Sequence, residues 1–126
     1  MPGFAKSPPA LVERFDAIAA EFPDVARRLT FGYPCLYVGG NMVSGLHESG
    51  WFVRLGEAER MALITLDGAA PFEPMPGRPM TGYTLLPPAV VIGDDEAIRL
   101  WVERAIDFGA TLPPKTPKAK AKPRTA

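Results

Sequence analysis

The run Phe72-Glu73-Pro74-Met75-Pro76-Gly77-Arg78-Pro79-Met80 restricts the possible folds more than any other stretch of the chain. Proline cannot donate a backbone hydrogen bond and fixes φ, so three prolines here exclude a helix and any central strand. Pro76-Gly77 suits the middle of a type II turn, where glycine takes the positive φ. A short strand-forming run precedes the turn and a better one, Thr81 to Leu86, follows it. Together they predict a stiff hairpin with Arg78 near its tip. A rigid loop presenting one charge is a candidate recognition element; the plainer reading is a constrained turn with a solvated arginine.

Around that hairpin the punctuation continues, with 15 prolines and 12 glycines in 126 residues, so the elements are short and the turns many. The length gives one domain with its own core and is too small for two ordinary ones. The formal charge of zero hides an asymmetry. Lys115, Lys118, Lys120, Lys122 and Arg124 give residues 113–126 a charge of +5 with no acid, leaving −5 on the rest. An acidic body is not a general nucleic-acid surface. The tail is low in complexity, is read as disordered, and lacks aromatics. Its five cations are the candidate nucleic-acid contacts, weak and sequence-independent; a solubilising tail is the plainer reading.

The remaining chain is read by periodicity. Ser7 can cap a helix with Pro8 at its first position, and Leu11, Phe15, Ile18 and Phe22 then form one apolar stripe. Residues Asp24 to Leu29 are ambiguous between a helical turn and a strand. Three strands follow, Tyr33 to Val38, Met42 to Leu46 and Trp51 to Leu55, separated by Gly39-Gly40-Asn41 and Glu48-Ser49-Gly50 as hairpin signals. A second helix runs from Glu57 to Leu66 and stops at Asp67-Gly68. After the proline hairpin, Asp94 caps a third helix. Its buried side is Ile98, Trp101, Val102, Ala105 and Phe108, and Arg99 is expected to pair with Asp95 and Glu103 one turn away. The fold class is therefore α+β: helix, three-strand meander, helix, two-strand hairpin, helix, with a mainly antiparallel five-stranded sheet packed on helices. Residues 1–7 are read as a flexible N-terminus, 8–112 as the domain and 113–126 as the tail. Both faces of the meander look apolar, which favours a homodimer or a protein partner.

Few residues carry chemistry in this pattern. His47 has no converging ligands for a metal, and neighbouring Ser44 and Ser49 do not make a triad with it. Cys35 is alone, excluding an internal disulfide, and reads as a small buried hydrophobe. The glycines match no phosphate loop. Arg27 or Arg28 with Arg78 is the candidate anion-binding patch, with Phe31 and Tyr33 as an aromatic wall; the alternative is that these arginines pair with the surplus acids. No catalytic, cofactor or metal residue is assigned and no enzyme activity is expected; a small-molecule-binding domain or an enzyme is the last of the alternatives, after a protein-interaction module and a nucleic-acid-associated protein. The N-terminus lacks the pattern of a signal peptide, and no apolar run approaches a membrane span. A cytoplasmic protein without membrane attachment is expected.

Several motifs together resemble the TfoX/Sxy N-terminal domain family of bacterial proteins. They are Arg28-Leu29-Thr30-Phe31-Gly32-Tyr33-Pro34, Leu36-Tyr37-Val38-Gly39-Gly40-Asn41-Met42, Trp51-Phe52-Val53-Arg54-Leu55, and the proline hairpin continuing into Gly82-Tyr83-Thr84-Leu85-Leu86-Pro87-Pro88. The resemblance covers most of residues 8–112. It implies a five-stranded sheet packed against helices, similar to type III secretion chaperones, and a regulatory or protein-interaction role with no catalytic or cofactor residues. The family's namesakes regulate natural competence and pair this domain with a second, helical one; here the lysine-rich tail follows instead.

Overall fold

The computed structural model describes residues 8–30, 32–48, 50–73, 77 and 80–114. Helix α1 (Pro9–Ala19) starts one residue later than expected, with Pro8 extended at the N-cap and Pro9 as the first helical residue. This is the position where a missing N–H costs nothing; Ser7 lies outside the described residues. Four strands follow, β1 (Ala26–Thr30), β2 (Tyr33–Val38), β3 (Asn41–His47) and β4 (Gly50–Arg54), then helix α2 (Glu57–Ile64). After it come β5 (Ala70–Pro71), β6 (Tyr83–Leu85), the short helix α3 (Pro88–Val91) and helix α4 (Asp95–Ala110).

These strands make one antiparallel sheet in the order β1-β2-β3-β4-β6-β5. The sheet has six strands and not five, because the ambiguous stretch after α1 becomes a strand from Ala26 onward, which pairs with β2 from Ala26↔Tyr37 to Thr30↔Tyr33. As an edge strand it is exposed at four of its five positions, so it needs no apolar alternation and shows none. Helix α3 was also not expected. Pro87 caps it and Pro88 opens it, a start signal easily read as loop.

All the helices cover one face of the sheet. Phe15 and Ile18 of α1, Leu63 of α2, Val91 of α3 and Ile98, Val102 and Ala105 of α4 pack there against Leu36, Val43, Leu46, Trp51 and Val53. Trp51 is fully buried and its indole N–H donates to Ser44 Oγ at 3.1 Å; Ser44 donates onward to the Phe52 carbonyl at 2.8 Å. A buried indole thus keeps its hydrogen bond without water. Gly109 lets α4 approach β3 closely, since a Cβ there would meet Val43 Cγ1 at 2.4 Å.

Two expectations for α4 are corrected. Phe108 is only half-buried, while Gly109 takes the buried position. Arg99 does not pair within its own helix but binds Glu21 beyond α1 at 2.7 Å, and Asp95 binds Arg14 of α1. The helices lie close enough for these long-range pairs, which sequence spacing cannot reveal. Among the described residues, no helix is long and apolar enough to cross a membrane.

Candidate functional site

The second face of the sheet is built by alternation. Side chains two apart on a strand share a face, so Tyr33, Cys35 and Tyr37 of β2 lie with Phe52 and Arg54 of β4 and with Tyr83 and Leu85 of β6. Cys35, Phe52 and Phe72 are buried there, with Tyr37, Met42, Met80, Tyr83 and Leu85 packed around them. Among the described residues, no member of this cluster comes from a helix. The strand register keeps both faces apolar: β3 bulges opposite Leu36 and Tyr37, so Met42 joins this face while Val43 and Ser44 both turn to the helices.

Ring contacts run across the face. Phe52 and Phe72 stack with centroids 4.3 Å apart, Tyr83 meets Phe52 edge-on at 5.7 Å, and His47 lies between Tyr33 at 5.1 Å and Phe72 at 5.5 Å. Tyr83 also reaches across the sheet to donate its hydroxyl to the Met42 carbonyl at 2.9 Å. Two arginines frame the cluster. The Arg28 guanidinium sits 4.9 Å over the Tyr37 ring, and Arg54 sits 5.4 Å over Tyr83 and 5.9 Å over Phe108. Such stacking fixes a cation while leaving its edge able to donate.

Burial acts on Cys35 and Tyr83 of this face. It pushes the Cys35 thiol up from its ordinary 9.0, outweighing the hydrogen bond with Thr30 and the Arg27 charge. The thiol lies 3.6 Å from the Tyr33 carbonyl. A protonated, enclosed thiol is a poor nucleophile. Burial likewise raises Tyr83 against the opposing charge and hydrogen bond of Arg54. His47 is engaged in ring contacts; Ser44 belongs to the Trp51 hydrogen bond on the opposite face, and Ser49 lies outside the described residues. Among the described residues, no three of His, Cys, Asp and Glu gather as a metal would need.

The structure separates the residues of the expected anion patch. Arg27 turns to the helix side and binds Asp16 of α1 at 3.0 and 3.3 Å. Arg28 turns to the aromatic face, beside Tyr37, while the half-buried Tyr33 packs against His47 on the same face. A shallow depression between α1 and β1, about 410 Å³ and lined by Asp16, Ala19, Ala20, Val25 and Arg27, has its charges already matched in that ion pair. Phe31, Arg78 and the five tail cations Lys115, Lys118, Lys120, Lys122 and Arg124 lie outside the described residues. Arg54, one of the four arginines that stand out in the sequence beside Arg27, Arg28 and Arg78, does lie on this face, whereas Tyr37, Phe72 and Tyr83 were not expected as part of a site. For Tyr37 the signal was its i, i+2 alternation with Tyr33 and Cys35 along β2; Phe72 and Tyr83 come beside Phe52 only through the strand order.

In comparison with known protein families, the model described as the TfoX N-terminal domain matches residues 17–109. That span takes in every strand, α2, α3 and nearly all of α4. No curated protein and no solved structure matches the chain.

Proposed function

The chain belongs to the TfoX N-terminal domain family, and on that basis we propose that it is a non-enzymatic regulatory module that works by binding another protein. The observation that supports this reading is the construction of the second sheet face. Aromatic side chains occupy it, and Arg28 and Arg54, each stacked on a tyrosine, stand at its margins. Aromatic and arginine side chains together are the residues that dominate protein interfaces. The groups that elsewhere would do chemistry are committed to packing: Cys35 is buried and protonated, and His47 sits between two rings.

Cross-linking in the native cell tests the reading. A photoreactive residue in place of Tyr37 should capture one protein reproducibly, and a photoreactive residue at Ala58 on the helix side should not. Capture of the same background at both positions would remove the support. A second reading, sequence-independent association with nucleic acid, is favoured by the +5 charge of residues 113–126. Salt-sensitive retention of a DNA duplex, lost when the tail is removed, would select it.

A further inference from the structure

We propose that β1 is an open edge that takes an extended acidic segment of a partner protein as a seventh strand; the proposal rests on the protein-binding reading above and specifies its mode. The two edges of the sheet differ. At one end β5 has only two residues, one of them Pro71, which has no N–H to offer. At the other end β1 has five residues, Ala26 to Thr30, four of them exposed.

The register shows which backbone groups β1 presents outward. Leu29 faces Pro34 of β2, and proline has no N–H with which to close a hydrogen-bonded pair. Leu29↔Pro34 is therefore a non-hydrogen-bonded pair, and Leu29 directs its N–H and C=O away from β2. Antiparallel pairs alternate, so Arg27 does the same. Two residues thus each offer one donor and one acceptor along an accessible edge, the template used in strand addition.

Charge identifies the occupant. β1 carries Arg27 and Arg28 next to each other, and the exposed Leu29 follows at 63% exposure. Arg27 is matched by Asp16, whereas Arg28 rests on the Tyr37 ring with no carboxylate beside it among the described residues. A second copy of β1 added antiparallel would bring four guanidinium groups into one strand pair, and like charges facing each other destabilise a sheet. An acidic strand has the opposite sign. Alternation of acid and apolar residues would place carboxylates on the Arg28 side and an apolar side chain beside Leu29. A nucleic acid lacks the N–H row that the outward carbonyls of Arg27 and Leu29 require.

The test titrates the full chain with the peptide acetyl-Val-Glu-Val-Glu-Val-Glu-Val-amide and follows amide exchange by NMR. Saturable binding should slow exchange at Arg27 and Leu29 above all. The same peptide N-methylated at alternate residues keeps its charge but forfeits about two hydrogen bonds, and should bind roughly tenfold more weakly or worse. On the protein side, Leu29→Pro removes the outward N–H without touching the bonds to β2 and should abolish binding, while Arg28→Glu should weaken it. The N-methylated peptide keeps the test valid even if a variant fails to fold. Equal affinity for both peptides would reduce the effect to plain charge attraction and overturn the proposal. Protection of the Arg27 and Leu29 amides in the free protein would show the edge already occupied and would overturn it equally. If cross-linking through Tyr37 still captures one partner while the peptide does not bind, strand addition fails and the protein-binding reading survives.

Discussion

Gly45 lies directly beneath Cys35: a Cβ built on it would stand 2.6 Å from the thiol sulfur and 2.7 Å from Cζ of Phe52. The missing side chain on β3 is what lets Cys35 of β2 and Phe52 of β4 close over the central strand. Phe72 then stacks on Phe52 above that gap. Gly45→Ala therefore overpacks the aromatic face and should cost about 1–3 kcal/mol, since both neighbours are themselves buried. Adding Cys35→Ala should recover part of the loss by removing one of the two clashes. Denaturant melts of the wild type, the single variant and the double variant measure both effects; a Gly45→Ala protein as stable as wild type would mean that the face is loosely packed.

Arg14 joins three elements. It donates to Asp95 of α4 at 2.6 and 2.8 Å, to the Gly93 carbonyl at 3.1 Å, and to the Val91 carbonyl at the end of α3. The ion pair is partly exposed, with Asp95 about half open to solvent, so its charge alone is worth no more than about 1 kcal/mol. The two carbonyls matter as well, because they lose their donor when Arg14 is removed. Arg14→Ala should cost about 1–3 kcal/mol and Asp95→Asn less than about 1 kcal/mol. Equal losses from the two variants would assign the whole effect to the ion pair.

Much of this architecture was legible in the sequence, for reasons that differ by element. The stripe Leu11, Phe15, Ile18 and the cap at Asp94 announced α1 and α4 because local spacing and capping chemistry set them. Of the three strands from Tyr33 to Leu55, the first two were separated by a turn whose glycines carry positive φ, Gly39 at +57° and Gly40 at +85°. β1 was ambiguous because an edge strand needs no buried face, and Ala-Arg-Arg-Leu-Thr has no period. The partners of Arg99 and Asp95 were misassigned because their actual partners, Glu21 and Arg14, lie 78 and 81 residues away. The aromatic face was legible residue by residue but not as a site. Only the strand order brings Tyr83 and Phe72 beside Phe52.

Alkaline pH should destabilise the fold through the same face. Burial raises the Cys35 thiol above its ordinary 9.0 and the Tyr83 phenol above its ordinary 10.0, so the folded chain holds both protons more tightly than the unfolded chain. Where the unfolded state binds fewer protons, stability falls as pH rises. The stabilisation is fully present below pH 9.0 and is lost progressively above it, first through Cys35 and then through Tyr83. Melting temperatures from pH 7 to 11 should fall less steeply for the Cys35→Ala, Tyr83→Phe double variant than for wild type. Parallel curves would show that other groups control alkaline unfolding.

The last prediction concerns where the domain ends and what the tail does. The buried Asn41 side chain donates to the Pro113 carbonyl at 3.0 Å, and the turn glycine Gly39 lies against Pro114. The domain therefore reaches past residue 112, and a cut after Leu112 orphans a buried amide, costing about 1–3 kcal/mol. A cut after Pro114 should leave the melting temperature unchanged while removing all five tail cations, which separates stability from binding. If the tail binds a DNA duplex, it neutralises at most those five charges, so the log–log salt slope should not exceed roughly 4.5 in magnitude. The net charge of −5 on residues 1–112 should pull the value lower. Titrating wild type, the chain cut after Pro114, and Arg28→Ala against one duplex at two salt concentrations distinguishes the sources of affinity. Loss only on removing the tail assigns binding to it, and loss only in Arg28→Ala assigns binding to the aromatic face. If none of the three proteins binds even at low salt, nucleic-acid association is eliminated and protein binding stands as the sole reading.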